Sequence, residues 1–331
     1  MQSERLKEII GQFSGKRLLV VGDVVIDKYV FGKVERLNPE APVPILHAEE
    51  TKYATGGAGN TAKNAAMLGA PTTLISVVGD DERARDLEKA AETEGYTTRF
   101  VSDASRPTIE KTRFLVGSQQ LLRVDHEEVH DIDGDIAKQV VAAIEEYAGK
   151  VDAIIVSDYA KGVITQKVAE AIMAAMKQYN LLVMADVKPS RASYFTGVTL
   201  MSPNRKEAHE YLGLNQYENG GRKPEELAAA VSESFDTTVF LTLSDQGMYV
   251  LEKNGQGTHL PVEYVRADEV LDPSGCGDTA AVALTLSKLS GASNIEAGDI
   301  ANGAGATVAR KIGSTGLTQK ELLHTMTQHH T

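Results

Sequence analysis

Residues 272–278, DPSGCGD, join a glycine-rich turn and a carboxylate to the start of an apolar helix. Gly275, Cys276 and Gly277 place consecutive backbone N–H groups at the helix start, where amides and the helix dipole favour an anion. A carboxylate at Asp278 would repel a bound phosphate unless its role is to accept a proton. The combination indicates phosphoryl transfer, with the amides stabilising charge and Asp278 acting as base. Taken alone, the segment is equally consistent with a glycine-rich helix start capped by Asp278.

Two further turns carry side chains suited to binding sugar hydroxyls. Residues 55–60, TGGAGN, open a helix after an irregular stretch and leave Asn60 available to hydrogen-bond a polyol. Asp23 and Asp27 follow the first predicted strand, and ligands of open α/β sheets bind beyond the carboxyl ends of strands. The alternatives are a plain tight turn for residues 55–60 and a solvated, capping loop for the aspartates.

Polar residues also follow three later strands. These turns are 157–162 with Asp158 and Lys161, 186–189 with Asp186 and Lys188, and 202–207 with Asn204 and Glu207. Asn204 and Glu207 have the spacing of a helix capping box, which is the alternative for that pair. Because so many such turns fall at one sheet edge, together they predict an active-site rim.

Short apolar strands alternate with helices along most of the chain. This order predicts an α/β fold with a mostly parallel sheet flanked by helices on both faces. The predicted strands are 17–22, 73–78, 153–157, 181–185, 198–201 and 238–242. The predicted helices are 60–68, 82–94, 136–147, 165–179, 206–212, 224–234, 276–289 and 295–311, with an amphipathic helix at the N-terminus.

Two segments interrupt the alternation, and we expect them to form a small β-sheet lid. Residues 31–47 contain three prolines, and residues 111–125 look like two strands around Gly117 and Ser118. We therefore treat residues 1–331 as one domain with lid segments at about 28–50 and 108–126.

Composition argues against several classes of protein. Lysine and arginine number 34 against 46 acidic residues, a net charge of −12, so no positive field attracts nucleic acid or an anionic membrane. One cysteine excludes an intramolecular disulfide and fits a reducing compartment. No apolar run has the length of a signal peptide core or a membrane span. We expect a cytoplasmic protein without a nucleic-acid or membrane partner.

In combination, the motifs resemble those of the ribokinase (PfkB) family of carbohydrate kinases over roughly residues 18–323. The family's two signatures are matched by the GG-x-x-N turn of Gly56, Gly57 and Asn60 and by the D-x-x-G-x-G-D element at 272–278. Three positions within the second element depart from the commoner residues, but both glycines and Asp278 are in place.

The resemblance implies an enzyme that uses ATP and Mg²⁺, with Asp278 as catalytic base and the amides of residues 275–277 as anion hole. The implied sugar residues are Asp23, Asp27, Gly56, Gly57 and Asn60, and those for a sugar phosphate are Arg123 and Lys161 or Lys188. The implied nucleotide residues are Lys188, Asn204, Glu207, Ser244, Gly247, Asn302 and Ala306, with Glu207 also positioning magnesium. For Arg123, an exposed ion pair with Asp125 or Glu127 is the alternative.

Stretches such as 22–46, 119–128 and 157–165 narrow the resemblance further. They are similar to kinases of ADP-heptose synthesis for lipopolysaccharide core, which convert D-glycero-β-D-manno-heptose 7-phosphate into the 1,7-bisphosphate. Many such kinases are fused to an adenylyltransferase, whose H-x-G-H motif this sequence lacks, so we expect a stand-alone kinase. Lids of this family often pair, which implies a homodimer. The alternatives are another ribokinase-family sugar or nucleoside kinase and, less favoured, a non-catalytic sugar-binding regulator.

Two residues near the motifs prompt hypotheses of their own. Lys63 lies in the first turn of the helix after Asn60, where a cation opposes the helix dipole, so we expect it to face solvent or a substrate phosphate. An exposed thiol at Cys276 would have a lowered pKa at the helix start, whereas the favoured alternative is a small buried side chain.

Overall fold

The computed structural model of the chain describes residues 2–117, 119–214, 222–253, 255–311, 313 and 315–328. The helices are α1 Ser3–Gly11, α2 Ala58–Met67, α3 Glu82–Thr93, α4 Gly134–Ala148, α5 Gln166–Tyr179, α6 Arg205–Tyr211, α7 Pro224–Phe235, α8 Cys276–Leu289, α9 Asn294–Ala309 and α10 Gln319–Gln328. The strands are β1 Leu18–Gly22, β2 Val24–Leu37, β3 Pro44–Gly57, β4 Thr72–Val78, β5 Thr97–Ser102, β6 Glu110–Val116, β7 Gln119–His126, β8 Ala153–Ser157, β9 Leu182–Asp186, β10 Leu200–Met201, β11 Thr238–Thr242, β12 Met248–Leu251 and β13 Gly257–Leu260.

The described strands form a main sheet of nine, in the order β13-β12-β11-β10-β9-β8-β1-β4-β5. Neighbours from β11 to β5 run parallel, and β12 is antiparallel to both β11 and β13. Successive residues of β1 enter two separate apolar cores, Leu18 on one face and Leu19 on the other. A parallel sheet must be covered on both faces in this way, and the predicted fold class is confirmed.

Register brings three of the predicted turns to one edge of the main sheet. Gly22 at the end of β1 pairs with Ser157 of β8, which in turn pairs with Asp186 of β9. Parallel strands end at the same edge, so the segments that follow them converge there. The active-site rim inferred from the sequence therefore has a common location.

The small sheet contains β3, β2, β6 and β7 in that order. It is larger than the predicted lid, because β2 begins at Val24, directly after Asp23, and β3 runs on to Gly57. The expectation of an irregular stretch before the GG turn is wrong. The three prolines cluster at 39–44, in the hairpin turn and at the first residue of β3, a position where sheets tolerate proline. Ser118, in the predicted turn of this sheet, lies outside the described residues.

Sequence patterning missed β5, β12, β13 and α10. The three strands lie at or next to the edges of the main sheet. In β5 and β13 exposed polar residues replace the continuous apolar run of a buried strand, and β12 is an apolar run of only four residues. Every helix in the described ranges is too short or too polar to cross a lipid bilayer.

Candidate active site

A cavity of about 750 Å³ opens beside the first turn of α8. The predicted residues in its wall are Lys188, Asn204, Glu207, Ser244, Gly247, Gly275, Cys276, Gly277, Asp278, Asn302 and Ala306. Apart from Lys188, which was predicted for either phosphate, the predicted sugar residues are all described but are not among those that line this cavity. The structure therefore brings the predicted nucleotide and catalytic residues together in one cavity wall, and of the predicted sugar residues Asn60 contacts that wall through a hydrogen bond to Asp278.

The turn before α8 exposes backbone amides to this cavity. Gly275 is the N-cap with φ +77°, a left-handed conformation that other residues rarely adopt. The first N–H groups of a helix lack intrahelical acceptors, which makes the amides of Gly277 and Asp278 available to an anion. The Cys276 amide instead donates to the Pro273 carbonyl at 3.3 Å, so the set of free amides is smaller than predicted.

Asp278 is buried, and a donor holds each of its carboxylate oxygens. Asn60 Nδ2 donates to Oδ2 at 2.6 Å, and Tyr159 Oη donates to Oδ1 at 2.6 Å. Burial raises the pKa of Asp278, whereas both hydrogen bonds lower it. Each oxygen keeps a lone pair, so the group is an oriented acceptor that a further hydroxyl can meet.

The GG turn places Asn60 next to Asp278. Gly57 is the N-cap of α2 with φ +59°, and a Cβ added there would lie 2.3 Å from the Asp23 carbonyl oxygen. Only glycine permits this close reversal from β3 into α2. Asn60 therefore falls in the first turn of α2, facing the start of α8.

Asp23 does not have the predicted role. Its carboxylate accepts backbone N–H bonds from Tyr159 at 2.8 Å, Lys161 at 3.0 Å and Val163 at 3.0 Å. With only 1% of its surface exposed, it faces the protein and not a ligand. Asp23 fixes the loop after β8, and the expectation that it holds sugar hydroxyls is corrected accordingly.

Asp27 is buried in a charged pair that the sequence analysis missed. Its Oδ1 accepts a hydrogen bond from Arg113 on β6, whose guanidinium lies 5.4 Å from the centre of the Tyr29 ring. Asp27 therefore faces a cation on the small sheet. The alternation of Lys111 and Arg113 along a strand is the signal that could have drawn attention to β6.

Two of the three cations predicted for a sugar phosphate, Arg123 and Lys161, have carboxylate partners outside the cavity wall. The Arg123 guanidinium contacts both oxygens of Asp125 at 2.8 and 3.1 Å, which is the alternative the sequence left open. Lys161 Nζ donates to Glu127 at 2.7 Å and so ties the loop after β8 to the end of β7. The paired Arg123 side chain remains 48% exposed on the small sheet, whereas that of Lys161 is only 19% exposed.

Four charged groups meet where β8 and β9 end. Lys188 Nζ donates to Glu207 at 2.6 Å; burial would lower the pKa of Lys188, but the bond and charge of Glu207 hold it above its ordinary value. Burial, then the charge of Glu207, raises the pKa of Asp186 to about 8. Burial and the charge of Asp23 raise the pKa of Asp158 to about 6. This wall of the cavity carries more negative than positive groups.

Glu207 closes the capping box that was the alternative reading. The backbone N–H of Glu207 donates to Asn204 Oδ1 at 2.9 Å, and Glu207 Oε2 accepts a hydrogen bond from the backbone N–H of Asn204 at 3.1 Å. Hard carboxylate oxygens suit Mg²⁺, which needs few protein ligands when phosphates and water supply the rest. In the described chain, no three acidic, histidine or cysteine side chains converge closely enough to hold a metal unaided. The donors fit an ion that arrives with a nucleotide.

Lys63 is buried, and the expectation that it faces solvent is wrong. Its Nζ lies 3.8 Å from Glu94 Oε1, and the side chain is only 6% exposed. Burial lowers the pKa of Lys63, while the charges of Glu94, Asp27 and Asp278 raise it. The position lies among the acidic groups of the site, where a cation offsets their mutual repulsion.

Comparison with known proteins identifies relatives along almost the whole chain. The model of the "pfkB family carbohydrate kinase" matches residues 16–321. Bifunctional protein HldE of Azorhizobium caulinodans is 40% identical over 92% of this chain, which spans 63% of that protein. The D-beta-D-heptose 7-phosphate kinase of Bordetella bronchiseptica is 40% identical over 92% of this chain and 95% of its own length.

Solved structures share the fold at low sequence identity. Phosphofructokinase-2 from Escherichia coli, in complex with potassium, aligns with a TM-score of 0.77 at 16% identity over 96% of this chain and 100% of that one. Arabidopsis thaliana ribokinase, complexed with ribose and ATP, aligns with a TM-score of 0.68 at 19% identity over 94% and 98%. These alignments confirm the expected ribokinase-like architecture.

Cys276 departs from the hypothesis of an activated thiol. Its Sγ lies 3.5 Å from the Gly305 carbonyl oxygen, and burial, then the charges of Asp272 and Asp278, raises the thiol pKa to about 11. Burial and these two carboxylates all disfavour the thiolate that the hypothesis required.

Alkylation of Cys276 by iodoacetamide at pH 7.5 should therefore be about 100-fold slower than that of N-acetylcysteine, because the thiolate is scarce. Cys276 is the sole cysteine, so mass spectrometry measures its rate without ambiguity. The guanidinium-unfolded protein is the control and should react at the free-thiol rate. Fast labelling of the native protein at neutral pH would contradict the raised pKa.

Proposed function

The chain belongs to the pfkB family of carbohydrate kinases, and from this we propose that it transfers the γ-phosphoryl group of ATP to a sugar phosphate in the cytoplasm. We further propose that the acceptor is the anomeric hydroxyl of D-glycero-β-D-manno-heptose 7-phosphate, giving the 1,7-bisphosphate. The name of the Bordetella bronchiseptica relative, at 40% identity over 95% of its length, supports this substrate.

The observation that carries the proposal is the placement of Asp278. A buried carboxylate lies at the start of α8, next to helix-start amides and in the wall of a cavity large enough for a nucleotide. Amides that favour phosphate and a base that accepts a proton are both needed to move a phosphoryl group onto a hydroxyl.

The reaction follows from this geometry. The sugar hydroxyl donates a hydrogen bond to a free lone pair of Asp278, opposite the γ-phosphate in the cavity. As the new O–P bond forms and the bond to the leaving ADP breaks, the hydroxyl proton passes to the carboxylate. The amides of Gly277 and Asp278 stabilise the negative charge on the transferred group.

Lys188 and Glu207 are proposed to serve the triphosphate. Their side chains now bond each other at 2.6 Å at the cavity wall. Glu207 would hold Mg²⁺ through water and phosphate, and the ion neutralises triphosphate charge when it is bound. Lys188, released from this pair, would then contact the transferred phosphoryl group, since a cation there offsets its charge.

The phosphate of the sugar is proposed to bind a row of cations on the small sheet. The cations of this row are Lys52, Arg113 and Arg123. With Tyr29 between Lys52 and Arg113, they occupy successive paired positions across β3, β2, β6 and β7, so the four side chains share one face. Asp27, two residues before Tyr29, lies on the same face and bonds Arg113. A sugar hydroxyl at Asp27 would bring a distal phosphate to this row, which favours Arg113 over Lys161.

The opposite face of the small sheet is proposed as a homodimer interface. More than half of the exposed large hydrophobic side chains in the described part of the chain lie on the small sheet or its hairpin turn. Leu122 and Val124 alternate with Arg123 along β7 and therefore face away from the cation row. Pairing two such sheets would cover both this apolar face and the exposed β7 edge, while each sheet acts as a lid over its own sugar.

Asp278→Asn should lower kcat by about 100- to 10,000-fold with KM for both substrates nearly unchanged, because the base is lost while shape is kept. A coupled ADP-release assay across phosphorylated heptoses, hexoses and nucleosides measures it, and wild type should prefer the heptose 7-phosphate. Asp245→Asn, also in the cavity wall, is the control. A kcat near wild type in Asp278→Asn would remove the proposed mechanism, and turnover of unphosphorylated sugars only would remove the proposed substrate.

Arg113→Met should raise KM for the sugar phosphate by about 10- to 100-fold, because a charge-assisted hydrogen bond to phosphate is lost. KM for ATP should stay within twofold. Arg113→Lys should recover part of the affinity, and exposed Arg99→Met serves as the matched control. An equal loss with phosphorylated and unphosphorylated sugars would show that Arg113 acts only by supporting Asp27.

Leu122→Glu should convert the proposed dimer into a monomer at micromolar concentration, because it buries a charge in each half of the interface. Analytical ultracentrifugation gives the mass of each species. Val129→Glu alters an exposed apolar residue outside the small sheet and should leave the mass unchanged. A monomeric wild type, or a dimeric Leu122→Glu variant, would count against this interface.

A further inference from the structure

We propose that Tyr159 is a positioning residue for phosphoryl transfer, whose hydroxyl orients Asp278 and whose ring positions Lys188. This inference rests on the proposed function, in which Asp278 is the base. Tyr159 lies in the loop after β8 and lines the cavity between these two groups.

The backbone of this loop is fixed by two buried carboxylates. Asp23 accepts the N–H bonds of Tyr159 and Lys161, and Asp158 accepts that of Ala160 at 2.8 Å and that of Lys188 at 2.9 Å. Buried carboxylates are costly, so two of them spent on one loop indicate that its conformation matters. Asp23 does not line the cavity, and its carboxylate supports the Tyr159 loop from behind.

The loop also holds a strained residue directly after Tyr159. Ala160 has φ +55°, a left-handed conformation that is unfavourable for a residue with a side chain. The hydrogen bond from its amide to Asp158 holds it there. The strained residue thus lies directly beside Tyr159, whose side chain reaches Asp278 at the start of α8.

At Asp278, the Tyr159 hydroxyl and the Asn60 amide act as a pair. Each donates at 2.6 Å to a different carboxylate oxygen, which fixes the plane of the group. Without one donor, the carboxylate could rotate about its Cβ–Cγ bond, and the lone pair meant for the sugar hydroxyl would lose its direction. Burial, then the charge of Asp278, raises the pKa of Tyr159 well above its ordinary value, so the phenol stays a donor.

The ring of Tyr159 faces the cation of the site. Lys188 Nζ lies 5.7 Å from the ring centre while it bonds Glu207. A cation over an aromatic face is held by the ring quadrupole, without a competing hydrogen bond. Tyr159 thus contacts both the proton acceptor and the cation proposed for the phosphoryl group, and it sets the space between them.

Removal of only the Tyr159 hydroxyl should change how kcat depends on pH. The Tyr159 bond lowers the pKa of Asp278, against the effect of burial, so its loss raises that pKa. The base works when it is ionised, and activity therefore increases as pH rises through its pKa. In Tyr159→Phe, the acid limb of the kcat profile should move to higher pH.

The test compares Tyr159→Phe, Tyr159→Leu and the exposed control Tyr179→Phe in kcat and KM from pH 5 to 10, with ATP and the best wild-type sugar phosphate. Folded enzyme is counted by titration with ATP. Tyr159→Phe should lower kcat at pH 7 by about 10- to 100-fold, recover in part at high pH, and keep both KM values within twofold. Tyr159→Leu should also raise KM for ATP, since the ring beneath Lys188 is gone.

A double variant separates this inference from the proposed function. If Tyr159 acts through Asp278, then Tyr159→Phe should cause no further loss of kcat in the Asp278→Asn background. An unchanged kcat and acid limb in Tyr159→Phe, with Asp278→Asn inactive, would overturn the role of Tyr159 alone. An active Asp278→Asn would overturn the base itself, whatever Tyr159→Phe does.

Discussion

A carboxylate buried at the start of a helix persists only when donors and the helix dipole hold its charge, and Asp278 depends on this balance. Its two side-chain donors come from different parts of the chain, Asn60 on α2 and Tyr159 on the loop after β8. Three segments must therefore meet within hydrogen-bond distance. The rest of the architecture can be understood as the means of bringing them together and keeping them in place.

The register of the strands is the first feature that brings these three segments together. Because β1, β8 and β9 end in line, the segments after them emerge side by side at one edge of the sheet. The second feature is a pair of glycine-dependent turns, at Gly57 and Gly275, that reverse the chain into α2 and α8. The third is Asp23, whose carboxylate spans the gap between two strand ends and holds three amides of the neighbouring loop. Asp23 follows a strand at the edge of the sheet where ligands usually bind, but its carboxylate supports the neighbouring loop instead.

The sequence was informative where a local pattern is strong. The bounds of β8, β11 and α8 were predicted without error, because an unbroken apolar run or a glycine turn marks each one. The predicted nucleotide residues also share one cavity wall. Those that follow strands, such as Lys188 and Ser244, meet there because parallel strands end at one edge of the sheet, whereas Asn302 and Ala306 come from α9. Edge strands such as β5 were missed, because their half-exposed alternation resembles polar loops.

Contacts between distant segments could not be read in the same way. The bond between Arg113 and Asp27 depends on the pairing of β2 with β6, which no local pattern specifies. Tyr159 lies in the sequence between Asp158 and Lys161, the two residues that the sequence analysis selected from this loop. Its connection to the site is apparent only from the hydrogen bond between its hydroxyl and Asp278. The burial of Lys63 likewise reflects Glu94, a residue on a separate element that neutralises part of its charge.

Asp278 lies in the cavity wall, and the sugar-binding candidates Asp27 and Asn60 do not line the cavity. The two reactants would therefore reach the same carboxylate by separate routes, and neither would have to leave before the other enters. Such an arrangement implies a ternary complex and one direct displacement, with no phosphorylated enzyme on the path. A single displacement of this kind inverts the stereochemical configuration at the transferred phosphorus.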